Sequence, residues 1–584
     1  MFKRVLVVAV LAVIAAGAAA LALRPPRGVP DNAPTEDEMA DQTGSQIMQH
    51  IYNGHVPYRS GDVFLVPKPY SFILGQWDMT TLESATPNTS TTHSNPWAYL
   101  TRVPIFLYGP GYVPEGKQSY RHTDIAGLAP TWAELMRMKG FDSEGKPFGE
   151  VTRHAARTPP KVIVTIVVDG GGWDVLQQHP GAWPNLHRLM AHGTTLMNNT
   201  IGSAPSITGA LHPTFGTGDY PRKTGIPGNQ LRIHGKAEPV DAWNDDDDPR
   251  FLRVETLSDE WDQKTHNRSI NAAVTFEGWH LGMLGHGACL RGGDKDIAVT
   301  WDEAGNVWTT NEKCYRLPGY LAHEPLSRLK RYESGLDGRD GVRDGAWFGH
   351  TLEQIRSKSS TGEYTVRPST SAFARWMGDA SIAVLDHEPW GKDAVTDLLW
   401  VELKPTDVAG HAYNMLRPEV ADVLRETDAQ IGRIRRWLDG HIGRGNYVLA
   451  VSADHGQQPL PDLFGGWRIN NVELARDIRS RFGDVVQKVT TVDIYLKLDR
   501  MKQLGVAADD IARFIGTYTM RDNIPEGYPG GENAPEDRLD EKLFAGAFSG
   551  RYIDSLTPRK ISSFGASDYP QGDFYVRRGG APNP

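Results

Sequence analysis

The sequence predicts an α/β fold whose core is a mainly parallel sheet with helices on both faces. Four short apolar runs, Val63-Phe64-Leu65-Val66, Val162 to Val168, Leu398 to Leu403 and Tyr447 to Ser452, are rich in β-branched residues and bounded by turn residues, as buried strands are. Stretches with helical spacing, Ala182–His192, Pro418–Asp439 and Ala507–Ile515, alternate with strands across the middle of the chain. A length of 584 residues, with 39% hydrophobic and 23% charged residues, suits one large catalytic unit with insertions or two domains sharing an interface.

The elements follow in chain order. Met1-Phe2-Lys3-Arg4 precedes an uncharged apolar run from Val5 to Leu23. At ~1.5 Å per residue this run spans about 28 Å, close to the hydrocarbon thickness of a bilayer. It reads as an uncleaved anchor or, through the small residues Ala16 to Ala20, as a cleaved signal; under both readings Lys3 and Arg4 stay inside and the body is exported. Residues 24–44, rich in Pro, Asp, Glu and Thr, read as a tether, leaving 45–584 as the catalytic body. The net charge of −9, from 71 acidic and 62 basic residues, comes with no basic block able to track a phosphate backbone, which disfavours nucleic-acid binding.

Residues 230–395 hold many Gly and Trp, both cysteines and the acidic run Asp245-Asp246-Asp247-Asp248, and read as an insertion over the C-terminal edge of the sheet. The acidic run lacks the Gly-and-Glu spacing of a calcium loop and is expected as a solvated loop. In an oxidising compartment Cys289 and Cys314, 25 positions apart, are expected to close one disulfide loop, worth roughly 3 kcal/mol in the chain-entropy picture, the alternative being two separately buried thiols.

Three strands deliver hard or borderline metal ligands at their C-terminal ends, where open α/β sheets bind ligands. Val162 to Val168 leads to Asp169-Gly170-Gly171-Gly172. Leu398 to Leu403 leads to Asp407 and His411 in Thr406-Asp407-Val408-Ala409-Gly410-His411, and Tyr447 to Ser452 leads to Ala453-Asp454-His455-Gly456. Carboxylate oxygen with imidazole nitrogen suits zinc, and two zinc ions about 4 Å apart can hold both the attacking and the leaving oxygen of an in-line displacement. A hydroxyl nucleophile is offered by Ala204-Pro205-Ser206-Ile207-Thr208-Gly209, where a helix N-terminus would turn backbone N–H donors to a phosphate.

These residues resemble the alkaline phosphatase superfamily, in its nucleotide pyrophosphatase/phosphodiesterase-like branch. The resemblance covers most of 160–470. It rests on the Val-Asp-Gly strand end, Pro205-Ser206-Ile207-Thr208 running on to Gly216-Thr217-Gly218-Asp219-Tyr220-Pro221 and Thr224-Gly225-Ile226, Asp407-x-x-Gly410-His411, and Ala453-Asp454-His455-Gly456. It implies an alkaline-phosphatase-like α/β/α sandwich with core motifs in 160–229 and 396–470. It also implies Thr208 as nucleophile, with Asp169, Asp454 and His455 joining it around one zinc, Asp407 and His411 on a second, and Asn229 holding the phosphate. His212, four positions after Thr208, is expected to make a structural hydrogen bond and stays outside the site.

One departure is large: the family takes a third ligand for the second zinc from a histidine well after the Asp-His-Gly motif, and no histidine follows Gly456 here. Instead Thr91-Thr92-His93-Ser94-Asn95-Pro96-Trp97, leading to Arg102-Val103-Pro104-Ile105-Phe106-Leu107-Tyr108, looks like the family's C-terminal segment placed ahead of its first motif. Ser94 and Asn95 replace the usual Gly-Ser, and Arg102 stands where a His is common. Residues 45–140 are thus expected to be a circularly permuted segment with His93 as the missing ligand.

The function expected is a zinc-dependent phosphoester hydrolase, exported and anchored by residues 5–23 or secreted, acting through a phosphorylated Thr208 on phosphodiesters or phosphomonoesters. A phosphotransferase to a lipid or glycan acceptor would use the same metal set. A non-catalytic binding module would show scattered loss of ligands, and none is missing.

Overall fold

Val162 to Val168 forms the central strand because alternate side chains feed two cores: Val162, Val164, Ile166 and Val168 enter one, Ile163 and Val167 the other. The computed structural model describes residues 44–73, 91–153, 158–236, 238–243, 247–356, 366–461, 464–524 and 536–564. The apolar run Val5–Leu23 and the tether up to residue 43 lie outside them; among the described residues no helix is long and apolar enough to cross a membrane.

Numbering the strands of the two larger sheets in chain order gives β1 (Val63–Pro67), β2 (Ile105–Tyr108), β3 (Lys117–Ser119), β4 (Val162–Val168), β5 (Thr194–Leu196), β6 (Asn271–Val274), β7 (Ile297–Asp302) and β8 (Val307–Thr309). β9 (Asp397–Leu403), β10 (Tyr447–Ser452), β11 (Val486–Val489), β12 (Asp493–Leu496) and β13 (Phe544–Ser549) complete them. The larger sheet runs β8-β7-β6-β9-β4-β10-β2-β5-β3. Its middle, β7-β6-β9-β4-β10, is parallel throughout, while β8 and β2 join antiparallel. The expected mainly parallel sheet is therefore present.

The helices used below are α1 (Gly44–Gly54), α2 (Leu128–Leu135), α3 (Pro184–His192), α4 (Thr208–Thr217), α5 (Leu257–Thr265), α6 (Ser371–His387), α7 (Pro405–Tyr413), α8 (Pro418–Leu438), α9 (Asn471–Phe482) and α10 (Ala508–Ile515). One face of the sheet is covered by α3, α6 and α8, through residues such as Leu186, Trp376 and Ile431. The other is covered by α2, α4 and α5 through Trp132, Phe215 and Leu257.

Two expectations change. Val63 to Val66 is a buried strand but not of the main sheet: β1 lies between β12 and β13 in an antiparallel sheet of four, order β11-β12-β1-β13, with α9 and α10 packed on it. Residues 230–395 are not simply laid over the sheet edge, since β6, β7 and β8 extend the sheet itself beyond β9. Cys289 and Cys314 form the expected disulfide. Of the acidic run, Asp247 and Asp248 are described and neither is simply solvated: Asp247 accepts a hydrogen bond from Thr300 Oγ1 at 2.8 Å, and Asp248 is buried and paired with Arg250 at 2.5 Å. A turn packed on β7 has drawn these carboxylates inward.

Candidate metal centre and active site

Each strand end presents its polar residue for a local reason. After β4 the chain turns at Gly170, φ 67°, where a Cβ would stand 2.9 Å from Asp407 Cα; only glycine lets the β4 end approach α7 so closely. β9 runs through Lys404 into α7, which starts at Pro405, whose missing N–H suits a first helical position. Asp407 in the first turn and His411 four residues on share one face of that helix. β10 ends directly in Asp454 and His455.

Three histidines from distant segments share one arrangement. His93 Nδ1 lies 2.6 Å from Ser206 O, His411 Nδ1 2.9 Å from Thr91 O, and His455 Nδ1 2.9 Å from Gly456 O. A carbonyl can only accept, so each Nδ1 carries a proton, and in the neutral ring each Nε2 keeps its lone pair for a metal. Each Nε2 faces carboxylates: His93 and His411 each stand 3.3 Å from Asp407 Oδ1, and His455 stands 3.3 Å from both Asp169 Oδ1 and Asp454 Oδ2. The His93 and His455 rings stack at 3.5 Å, bringing the two groups side by side.

Those separations test the fit of zinc. Ligands 2.0–2.1 Å from a tetrahedral ion lie about 3.3–3.4 Å from one another. Asp169 Oδ1, Asp454 Oδ2 and His455 Nε2 are all buried and make no hydrogen bond. Buried polar atoms without partners are rare in folded proteins, and a cation facing these three would satisfy them. The donor set is also right in chemistry, imidazole nitrogen and carboxylate oxygen.

The remaining carboxylate oxygens are held by other residues. Lys404 Nζ lies 2.9 Å from Asp169 Oδ2 and 2.7 Å from Asp407 Oδ2, tying both halves of the centre to one ammonium. Burial opposes charge on Asp169, yet the Lys404 ammonium holds its carboxyl well below the usual range. Burial likewise opposes charge on Asp407, which His411 and Lys404 outweigh. Asp454 is pushed up to about 7 by burial and by the Asp169 charge, while burial and then His455 lower His93 to about 4. Burial opposes charge on His455, yet the Asp454 and Asp169 carboxylates raise it to about 9, so protons on imidazole hold the place that a cation between these ligands would take.

Thr208 is the first residue of α4 and buried. Asn229 Oδ1 accepts the Gly209 N–H at 2.9 Å, and a Cβ on Gly209 would stand 2.7 Å from that oxygen, so glycine makes room for Asn229 at the helix start. Ser206 is committed elsewhere, its hydroxyl donating to Asn95 O at 2.9 Å. The six expected ligands His93, Asp169, Asp407, His411, Asp454 and His455 therefore gather in one centre. Thr208, whose carbonyl is 3.0 Å from His212 Nδ1, itself 3.8 Å from Asp454 Oδ2, stands beside it with Asn229 on the next residue's N–H.

Four more residues border the centre, three unremarked in the sequence and one, His212, expected outside the site. Lys404, a lysine after a strand, carried no signal of its own, whereas Gln457, which donates to Asp407 Oδ1 at 2.5 Å, had one in directly following the Asp-His-Gly motif. His280, with Nε2 3.2 Å from Asp169 Oδ2, comes from the expected insertion and had none. His212 makes the expected structural hydrogen bond, 3.0 Å to Thr208 O, but is also 3.8 Å from Asp454 Oδ2, with its buried Nε2 unpartnered.

Residues 163–529 match the family described as type I phosphodiesterase / nucleotide pyrophosphatase. The chain is similar to alkaline phosphatase PafA of Elizabethkingia meningoseptica, 25% identical over 412 residues that cover 62% of this chain and 74% of that one. It is also similar to alkaline phosphatase PhoV of Synechococcus elongatus, 26% identical over 341 residues, covering 52% of this chain and 60% of that one. Among solved structures, wild-type alkaline phosphatase PafA aligns with a TM-score of 0.49 and 20% identity over 61% of this chain and 76% of that one.

Proposed function

The chain belongs to the type I phosphodiesterase / nucleotide pyrophosphatase family, within the alkaline phosphatase superfamily of phosphoester hydrolases, and on that premise we propose that it cleaves phosphoesters with Thr208 as nucleophile beside two zinc ions. Asp169, Asp454, His455 and Thr208 would hold one ion, and His93, Asp407 and His411 the other. Bound zinc supplies Lewis-acid charge that favours the ionised nucleophile and leaving oxygens. The observation that carries the reading is the set of three histidines, each with Nδ1 tied to a carbonyl and Nε2 held 3.3 Å from a carboxylate oxygen.

In this reading Thr208 Oγ1 attacks phosphorus, the P–O bond to the leaving alcohol breaks, and water then hydrolyses the phosphothreonine to regenerate the hydroxyl. The Gly209 N–H is engaged by Asn229 Oδ1, which leaves the Asn229 amide nitrogen to donate to a non-bridging oxygen of the substrate. Lys404 keeps Asp169 and Asp407 ionised and oriented.

Two further parts belong to the proposal. Residues 45–140 are the family's C-terminal segment moved forward, a reading supported by His93 beside Asp407, by β2 paired with β10, and by β1 paired with β12 and β13. Val5–Leu23 exports the chain, as anchor or as cleaved signal.

The test is metal analysis with a panel of aryl phosphate mono- and diesters. Purified protein is expected to contain about two zinc ions and to lose hydrolysis on chelation. Thr208→Ala is expected to abolish turnover and phosphoenzyme, Thr208→Ser to keep part of both, and Ser206→Ala to be milder. Full activity in metal-free protein, or label on Ser206, would overturn the mechanism.

A further inference from the structure

At the opposite end of the sheet from Lys404 lies a second group of carboxylates with no part in the chemistry above. Asp262 stands near the end of α5, Asn271 begins β6, and Asp294 and Asp296 precede β7. β6 runs parallel to β9, pairing Asn271 with Leu398 and Val274 with Val401, so this group sits at the N-terminal ends of the strands. At ~3.3 Å per residue, the seven residues of β9 separate it from the metal centre by about 20 Å.

One carboxylate oxygen from each of Asp262, Asp294 and Asp296 lies within 4.8 Å of the others. Asp262 and Asp296 are 2% and 5% exposed, and Asp262 Oδ1 and Asp296 Oδ2 have no hydrogen-bond partner. Asn271 beside them is also 2% exposed. Its Oδ1 accepts a hydrogen bond from Ser269 Oγ at 3.4 Å, so nitrogen is the end turned to Asp262, where it favours the ionised carboxyl. Among the described residues no Lys, Arg or His forms an ion pair with any of the three carboxylates. The nearby acid Asp259 is engaged by His286 at 2.8 Å, and Arg316 by Glu388 at 3.0 Å. Burial, outweighing a hydrogen bond from Asn271, pushes Asp262 up to about 7, and burial and then the Asp262 charge raise Asp296 well above the ordinary carboxylate range.

We propose that Asp262, Asp294 and Asp296 bind a calcium ion that fastens α5 to the start of β7. The three carboxylates offer only hard oxygens, which excludes a soft-metal preference, and oxygens bound to one ion at ~2.4 Å lie at most about 4.8 Å apart, a limit the three here stay within. Calcium accepts such an irregular set, whereas magnesium demands near-octahedral geometry at about 2.1 Å. The same region carries the Cys289–Cys314 disulfide, joined to the site through the Arg316 N–H to Asp296 O bond at 2.9 Å. The ion is structural, so stability depends on it and the rate of hydrolysis does not.

The test uses zinc-loaded full-length protein in calcium-free buffer. Calcium at about 100 times its dissociation constant is expected to raise Tm by about 2 °C, and magnesium at the same concentration to raise it less. Terbium is expected to bind with emission sensitised by Trp261, next to Asp262, and calcium to displace it. Asp262→Asn and Asp296→Asn are expected to abolish both signals with kcat unchanged. Should those buried variants fail to fold, Asp294→Asn, at an exposed position, is expected to weaken calcium at least tenfold. No shift and no terbium emission in the parent protein would overturn the proposal. So would an Asp296→Asn protein more stable than the parent in calcium-free and calcium-containing buffer alike, the mark of two carboxyls sharing a proton. Magnesium matching calcium, or a calcium shift that survives all three substitutions, would equally refute the assignment.

Discussion

Lys404 carries the sharpest residue-scale expectation. Its ammonium holds one oxygen of Asp169 and one of Asp407, both buried. Removing one partner of a buried ion pair leaves uncompensated charge and costs about 3–5 kcal/mol. Lys404→Met is expected to lower the stability of metal-free protein by that order, with zinc restoring most of the loss, and to reduce kcat/KM of the zinc-loaded enzyme by about 10–100-fold. Thermal unfolding with and without zinc reads the first and steady-state kinetics the second; an unchanged metal-free Tm would show that Lys404 does not bind the two halves together. Much of the site was legible because the Asp, His and Thr residues follow strands or open a helix within short motifs. Lys404 was not, because a lysine after a strand is ordinarily a solvated side chain, and only the fold brings two carboxylates to it. Ser94 shows the reverse: it adopts φ 146°, where glycine is favoured, at the point where the resembled turn carries glycine.

At the scale of elements, the decisive piece is the segment running from Thr91 into β2. β2 pairs antiparallel with β10, Ile105 opposite Ser452, and the preceding turn sets His93 against Asp407 and His455. If this segment completes the second proposed zinc site, His93→Ala is expected to lose one zinc selectively, leaving about one ion per chain and activity reduced by at least tenfold. Zinc content and rate equal to the parent would mean that His93 is no ligand. The central strands were readable because a parallel strand buried on both faces is written as a continuous apolar run. β6, Asn271-Ala272-Ala273-Val274, carries one β-branched residue and takes its strand form from β7 and β9 on either side. That is why 230–395 read as an insertion when part of it is sheet.

At the scale of the whole molecule, α1 links the smaller sheet to the loop before the nucleophile: His50 O accepts the Ala204 N–H at 2.9 Å, and Asn53 Nδ2 donates to Gly202 O at 2.7 Å. Burial, and then the nearby His122, lower His50 to about 4. The folded state thus prefers the neutral ring, and its contribution is complete above the ordinary value of 6.5. It is lost as pH falls from 6.5 towards 4, because the unfolded chain binds the proton first. Tm is expected to fall over that interval, and less steeply in His50→Gln; identical slopes would place the acid sensitivity elsewhere.

The position of β1 bears on how the chain comes into being. Synthesis delivers Val63–Pro67 early and both of its sheet neighbours, Asp493–Leu496 and Phe544–Ser549, late. Through most of elongation the apolar first strand has two bare edges, a template for pairing with the wrong chain. A product cut short before Phe544 would keep every residue of the proposed zinc centre and still lack the strand that closes one side of β1. For this protein, loss of the C-terminus threatens self-association before it threatens chemistry.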